Sequence, residues 1–155
     1  MVVEEQPSWA ADLGASPQRL LRDPNTLGYL SASMVVRDLR VYSQALDADV
    51  MHYRDSAGVE SDGIVQLRDG RWAAIEVKLG SGQVDRAAES LGRLVSKIDT
   101  QRAGEPVARI VSSGGEYAYT RPDGIHVVPL ACLGPWPRTH LAVTPGRSLR
   151  VASTW

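Results

Sequence analysis

The sequence predicts an α/β domain, a mixed β-sheet flanked by helices, in the order helix, three strands, helix, strand, hairpin (α-β-β-β-α-β-β-β). Three observations predict it. Two segments carry apolar residues at three- and four-residue steps, the period of a helix with one buried face. Short runs around them are rich in β-branched and aromatic residues and bounded by Gly, Pro and Asp, as strands are. The length of 155 residues, with 43% hydrophobic and 23% charged content, suits one soluble globular domain with its own core rather than two.

Residues 1–25 read as a helical lead-in. Ser16 before Pro17 is a good N-cap and first helical residue for PQRLLRD, and Asp23-Pro24 stops that piece. A longer helix is expected from Thr26 to Ala45, with Leu27, Leu30, Met34, Val35, Leu39, Tyr42 and Leu46 in one stripe. Asp47-Ala48-Asp49 marks its exit, VMHYR is a strand, and Arg54–Ser61 is a loop. A hairpin follows within SDGIVQLRDGRWAAIEVKL. The second helix runs from Gln83 to Thr100, with Val84, Ala87, Ala88, Leu91, Leu94, Val95 and Ile98 inward. Asp85, Arg86, Glu89, Arg93 and Lys97 form its solvated face. Val107–Ser112 is a strand, and YAYT-RPDG-IHVVPL is a hairpin turned by Pro122-Asp123-Gly124. The main domain thus spans 26–134. The tail, 135–155, is rich in Pro and turn residues and either caps the sheet or lacks regular structure.

Several function classes are disfavoured. A formal net charge of −1 argues against a surface coated in positive charge for nucleic acid, leaving a local patch. Cys132 is the single cysteine, so no disulfide or cysteine-cluster metal site forms within the chain. Its apolar surroundings predict a buried small hydrophobe rather than a nucleophile. No apolar run is long enough to span a membrane and MVVEEQ is no signal peptide, so a cytoplasmic location is expected. His52, His126 and His140 lack ligand spacing and read as structural or surface residues. No serine has a nucleophile-elbow setting.

The hairpin carries the chemistry. A two-residue loop at Asp69-Gly70 would place Asp62 opposite Val77, facing away from Glu76 and Lys78. A three-residue loop, Arg68-Asp69-Gly70, closed by a left-handed Gly70, pairs Leu67 with Arg71 and puts Asp62 opposite Glu76. Lys78 then follows on the same face. We adopt that register because it gathers the three charged groups instead of scattering them into the core. Two carboxylates so close need a positive neighbour. A divalent ion such as Mg²⁺ would serve, with Lys78 near a water that attacks a phosphodiester. The plainer arrangement is a Glu76–Lys78 ion pair, with Asp62 satisfied by backbone N–H groups or an arginine.

Asp62 followed by Glu76-Val77-Lys78 at the end of the next strand resembles the core of the PD-(D/E)XK nuclease-like superfamily. YLSASMVVRDLRVYSQAL, HYRDSAGVESDGIVQLRDGRWAAIEVKLG and YAYTRPDGIHVVPL are similar to a more particular family. It is the C-terminal domain of unknown function that follows the ATPase module in bacterial and archaeal AAA-type ATP-binding proteins. The likeness runs from Gly14 to Pro135. It implies a restriction-endonuclease-like fold, with Asp62 and Glu76 as metal-binding acids and Lys78 as the catalytic lysine. It implies Mg²⁺, weakly held, as the cofactor, and nucleic acid or an AAA-type ATPase as the partner. Relatives of this kind carry an acid in the first long helix where this chain has Ala32, so one oxygen ligand is lost. No G-x-x-x-x-G-K-[ST] loop occurs, so no ATP is bound or hydrolysed, and a free-standing or truncated copy of the C-terminal domain is expected.

Two functions follow. One is a metal-dependent phosphodiesterase using Asp62, Glu76 and Lys78. The other is a binding module that kept the fold and lost catalysis. Other residues read more plainly: Arg37 as a surface arginine, not a helix-face partner of adjacent Asp38, rather than one facing the acidic cluster or a phosphate, and Tyr53 as core packing rather than, with Arg54, the flank of a nucleic-acid groove. Trp9, Trp136 and Trp155 are candidates for a partner surface.

Overall fold

The computed structural model describes residues 17–134. Expectations for Trp9, Trp136, His140, Trp155 and the tail lie outside the described residues. The order is α1 (Pro17–Arg22), α2 (Pro24–Gln44), β1 (Ala48–Arg54), β2 (Glu60–Leu67), β3 (Trp72–Lys78), α3 (Val84–Lys97) and α4 (Thr100–Ala103). Then come β4 (Ala108–Ser113), β5 (Tyr119–Thr120) and β6 (His126–Pro129). The strands form one six-stranded mixed sheet ordered β1-β2-β3-β4-β6-β5. The β1–β2, β2–β3 and β5–β6 pairs are antiparallel, whereas β3–β4 and β4–β6 are parallel. The expected α/β class and element order are those observed.

Asp23-Pro24 ends one helix and starts the next. Asp23 caps α2 by accepting from the Thr26 N–H at 3.1 Å, and Pro24 occupies the first turn, where no N–H is needed. The α2 stripe is less apolar than expected. Ser31, Val35 and Ser43 are its buried residues, while Met34 is exposed. The end of α3 also comes earlier than expected. Ile98 adopts an extended backbone, and Asp99 caps the separate turn α4 by accepting from Gln101 N–H.

One loop geometry makes all three antiparallel connections. Leu67 donates to Arg71 O at 2.8 Å, Asp55 to Val59 O at 2.9 Å, and Arg121 to Ile125 O at 2.9 Å. Each loop closes on a glycine with positive φ: Gly70 at 88°, Gly58 at 78° and Gly124 at 78°. In each, an aspartate carboxylate binds backbone N–H groups of the turn. These are the features of a type I turn with a left-handed closing residue.

The helices lie on opposite faces of the sheet. A Cβ at Gly63 would sit 3.6 Å from Leu39 of α2, so the face of Gly63 and its partner Ile75 is the α2 face. Alternation sends Trp72 and Ala74 to the other face, where they join Leu91, Leu94, Val111, Ile125 and Val127 in the core under α3. Tyr53 packs against this cluster, as expected.

One expectation is corrected. Cys132 is exposed, because the chain leaves the sheet after Pro129 in a short 3₁₀ turn, Leu130–Cys132, that buries none of its residues. Arg37 lies at the surface, as expected, and folds back onto Asp38, with Nη2 2.7 Å from Oδ1. Adjacent Cα–Cβ vectors diverge on a helix, but the arginine arm is long enough to fold back.

Candidate functional site

The β2–β3 ladder pairs Gly63 with Ile75, Ile64 with Ala74, Val65 with Ala73 and Gln66 with Trp72. One further step along it sets Asp62 opposite Glu76. The register expected from the three-residue loop is therefore the one present. Beyond Gly63 the two strands splay, and β2 side chains take over the ladder's hydrogen bonds. Ser61 Oγ donates to Ile75 O at 3.0 Å, and Asp62 Oδ2 accepts from Val77 N–H at 2.8 Å. The register shift between Met51 and Tyr53 on β1 accompanies this divergence.

Asp62, Glu76 and Lys78 share the α3 face. Lys78 Nζ stands 3.7 Å from Glu76 Oε2 and 4.0 Å from Asp62 Oδ2. These contacts are longer than hydrogen bonds, so the ammonium lies between the acids without gripping either. Exposure differs sharply: the side chains of Lys78 and Asp62 are 34% and 27% exposed, against 5% for Glu76. Burial pushes the Glu76 carboxyl up to about 7, and the neighbouring Asp62 carboxylate adds to the rise. Lys78 and the Ser90 hydroxyl of α3 oppose it incompletely.

β4 completes the frame. Its parallel register sets Ser113 beside Lys78, and Ser113 is buried. The next residue, Gly114, donates its N–H to Lys78 O and Leu79 O at 3.3 and 3.2 Å. A Cβ there would lie 2.6 Å from Leu79 O, which only glycine avoids.

Residues 27–133 match the model of the domain of unknown function DUF4143, more than half of the chain. The chain belongs to the DUF4143 family. No curated protein and no solved structure matches it.

The donor set of this DUF4143 domain suits Mg²⁺ in kind, since hard carboxylate oxygens and water are what that ion takes. It is short in number. Among the described residues no group of three or more His, Cys, Asp and Glu side chains is placed to hold a metal. Ala32 supplies no oxygen, and its helix packs against the Gly63 face of the sheet. The contacts present are those of the plainer arrangement. Asp62 is satisfied by a backbone N–H, Glu76 faces Lys78, and both acids remain together.

His52 and His126 are exposed, and His126 Nδ1 lies 3.0 Å from Thr120 Oγ1. Arg54 lies within 4.0 Å of Glu60 at the surface. Residues 62, 76 and 78 were readable from spacing, whereas Ser61, Ser90, Ser113 and Gly114 were not singled out. Ser90 did carry a signal, as a hydroxyl inside the apolar stripe of Ala87, Leu91 and Leu94. Among the described residues no helix is long and apolar enough to cross a membrane.

Proposed function

We propose that this DUF4143 domain is a PD-(D/E)XK nuclease-like, restriction-endonuclease-like module that binds rather than cuts. In this reading it recognises nucleic acid or an AAA-type ATPase, with catalysis lost or weak. The carrying observation is that Asp62 accepts from Val77 N–H and the Lys78 ammonium stands between the two acids, with no third metal-binding side chain grouped with them among the described residues. The ATPase as partner is supported by the common occurrence of DUF4143 with AAA ATPase domains.

A second reading, an active Mg²⁺-dependent phosphodiesterase, is favoured by the position of Lys78 within 4.0 Å of both acids. Asp62 and Glu76 would hold the ion, and bound Mg²⁺ would supply a water of lowered pKa. Lys78 would orient that water or meet the phosphate, while β4 and Gly114 keep its backbone in place. The experiment is a thermal melt with Mg²⁺ and Mn²⁺ beside cleavage assays on DNA and RNA. An ion at ten times its Kd stabilises by about 1.4 kcal/mol, enough to read as a shift. The binding reading expects complex formation in gel shift or ATPase capture without cleavage. Metal-dependent cleavage that Glu76→Ala abolishes would replace it with the second reading. Ala32→Glu sharpens the choice: tighter Mn²⁺ binding would put α2 at the metal.

A further inference from the structure

We propose that the β1 edge of the sheet pairs with the same edge of a second copy of this chain, the two β1 strands lying antiparallel about a two-fold axis at Met51. This stands apart from the reading of Asp62, Glu76 and Lys78. The two edges of the sheet differ. β5 is only two residues long, which blunts it, whereas β1 offers seven and has β2 as its one neighbour among the described residues. A strand with one neighbour leaves alternate N–H and C=O groups facing outward, and what satisfies them in register is another strand. The usual protections are lacking, since ADVMHYR holds neither proline nor lysine. The irregularity in the β1–β2 ladder sets one β1 residue, His52, against two of β2, so the extra residue belongs to β2 and not to the edge.

The side chains select the occupant and its direction. Met51 is 43% exposed, pairs with Ile64, and borders an open, mainly apolar groove lined by Tyr53, Ile64, Trp72 and Ile98. A two-fold axis at Met51 sets it against Met51 of the second copy and brings the two grooves to one seam. The same register pairs Val50 with His52, Asp49 with Tyr53 and Ala48 with Arg54, so no like charges stand opposite each other. Asp47 and Asp49 mark the start of β1 and Arg54 its end, and all three are exposed. An antiparallel copy lays the acidic start along the basic end, twice by symmetry, whereas a parallel copy matches like with like. The axis stands perpendicular to the sheet, so the α3 faces of both copies turn to the same side of one continuous sheet.

The test is sedimentation equilibrium of the full chain over about 1 µM to 1 mM, the range in which interfaces of modest size associate. A reversible dimer is expected. Met51→Lys sets two ammonium groups across the axis and is expected to weaken the dimer about tenfold or more. Val41→Lys, the like change at an exposed position of α2, is expected to leave it unaltered. Arg54→Glu sets acid beside acid and is expected to weaken it about threefold at low salt and less at high salt. Cross-linking reads the register. With Cys132→Ser removing the exposed native thiol, Met51→Cys is expected to form an inter-chain disulfide on mild oxidation, because directly opposed residues lie within disulfide reach. Val41→Cys in the same background is expected to stay uncrosslinked. Circular dichroism melts confirm that each variant is folded. A chain that is monomeric throughout the range overturns the proposal; slow amide exchange along β1 in that monomer would give the edge to another segment of the same chain, and fast exchange to a different partner. A dimer that Met51→Lys leaves intact, or that Val41→Lys abolishes, overturns it as well.

Discussion

Two clusters in this domain each combine two acids with one cation, and they come out oppositely. Arg121 spans Asp85 at the start of α3 and Asp123 in the β5–β6 loop, with Nη2 3.1 Å from Asp123 Oδ2. Burial pushes the Asp123 carboxyl up, but Ile125 N–H and Arg121 outweigh it and hold the group below the usual range. The guanidinium itself is raised, chiefly by its bond to Asp85 and then by Asp123. At the other cluster, Lys78 is close to both acids and bonded to neither, and Glu76 rises to about 7. Identical charge counts therefore do not set the outcome. A forked cation in direct contact satisfies acids near solvent, and a point charge at arm's length leaves a buried acid short of neutralisation. The first cluster is a fastener for α3 and the hairpin, and the second leaves a buried carboxyl raised above its usual range.

The same helix serves both. Asp85 ties its first turn to Arg121, Lys97 ties its last turn to Asp55 at 2.8 Å, and Ser90 lies between, over Glu76. The Lys97 bond also holds Asp55, and with it the β1–β2 loop, below the usual carboxylate range.

The largest effect comes from removing the burial that separates the clusters. Leu91, next to Ser90 and completely inaccessible, is expected to cost about 2–5 kcal/mol in urea unfolding when changed to alanine. Glu76 should then titrate closer to a free carboxylate by NMR.

Next is the acid itself. A carboxyl raised in the folded state binds more protons than the unfolded chain, so its favourable contribution is whole below the unfolded value of 4.5 and is lost as pH rises through about 7. Glu76→Gln should match wild type at pH 4 and exceed it by ~2–3 kcal/mol at pH 8.5, the upper scale of the shift. Equal gains at both pH values would mean that charge at Glu76 is not the cause.

The smallest effect belongs to the exposed fastener. Arg121→Met should lower the melting temperature slightly and less so in high salt, since surface pairs are weak and screened. The Asp123 carboxyl should move upward in an NMR titration, while Glu76 stays put. A coupled response of Glu76 would show that the clusters are not independent.

Much of the site was legible because strand geometry is local. The bend at Arg68-Asp69-Gly70 admits a two- or a three-residue loop; the three-residue loop fixes the register, and the period of two then sends residues 62, 76 and 78 to one face. Arg68-Asp69-Gly70 and Pro122-Asp123-Gly124 follow the same logic, as does the period of α3. Other features were not legible. Ser61 and Asp62 cap the ladder only because β2 and β3 diverge, which no spacing encodes. Met34 and Cys132 are apolar in type but exposed, because nothing described in the fold covers their side of the element. Arg37 reaches Asp38 through an arm whose conformers are not set by helix period.

On its own, the amino-acid order determined the class of fold and narrowed the bend to two loop lengths, since both depend on torsions and neighbours a few residues apart. Tertiary structure alone decided how deeply Glu76 is buried, how loosely Lys78 approaches it and that Arg121 lands on Asp85. Those depend on where α3 crosses the sheet, and the helix period leaves that crossing open.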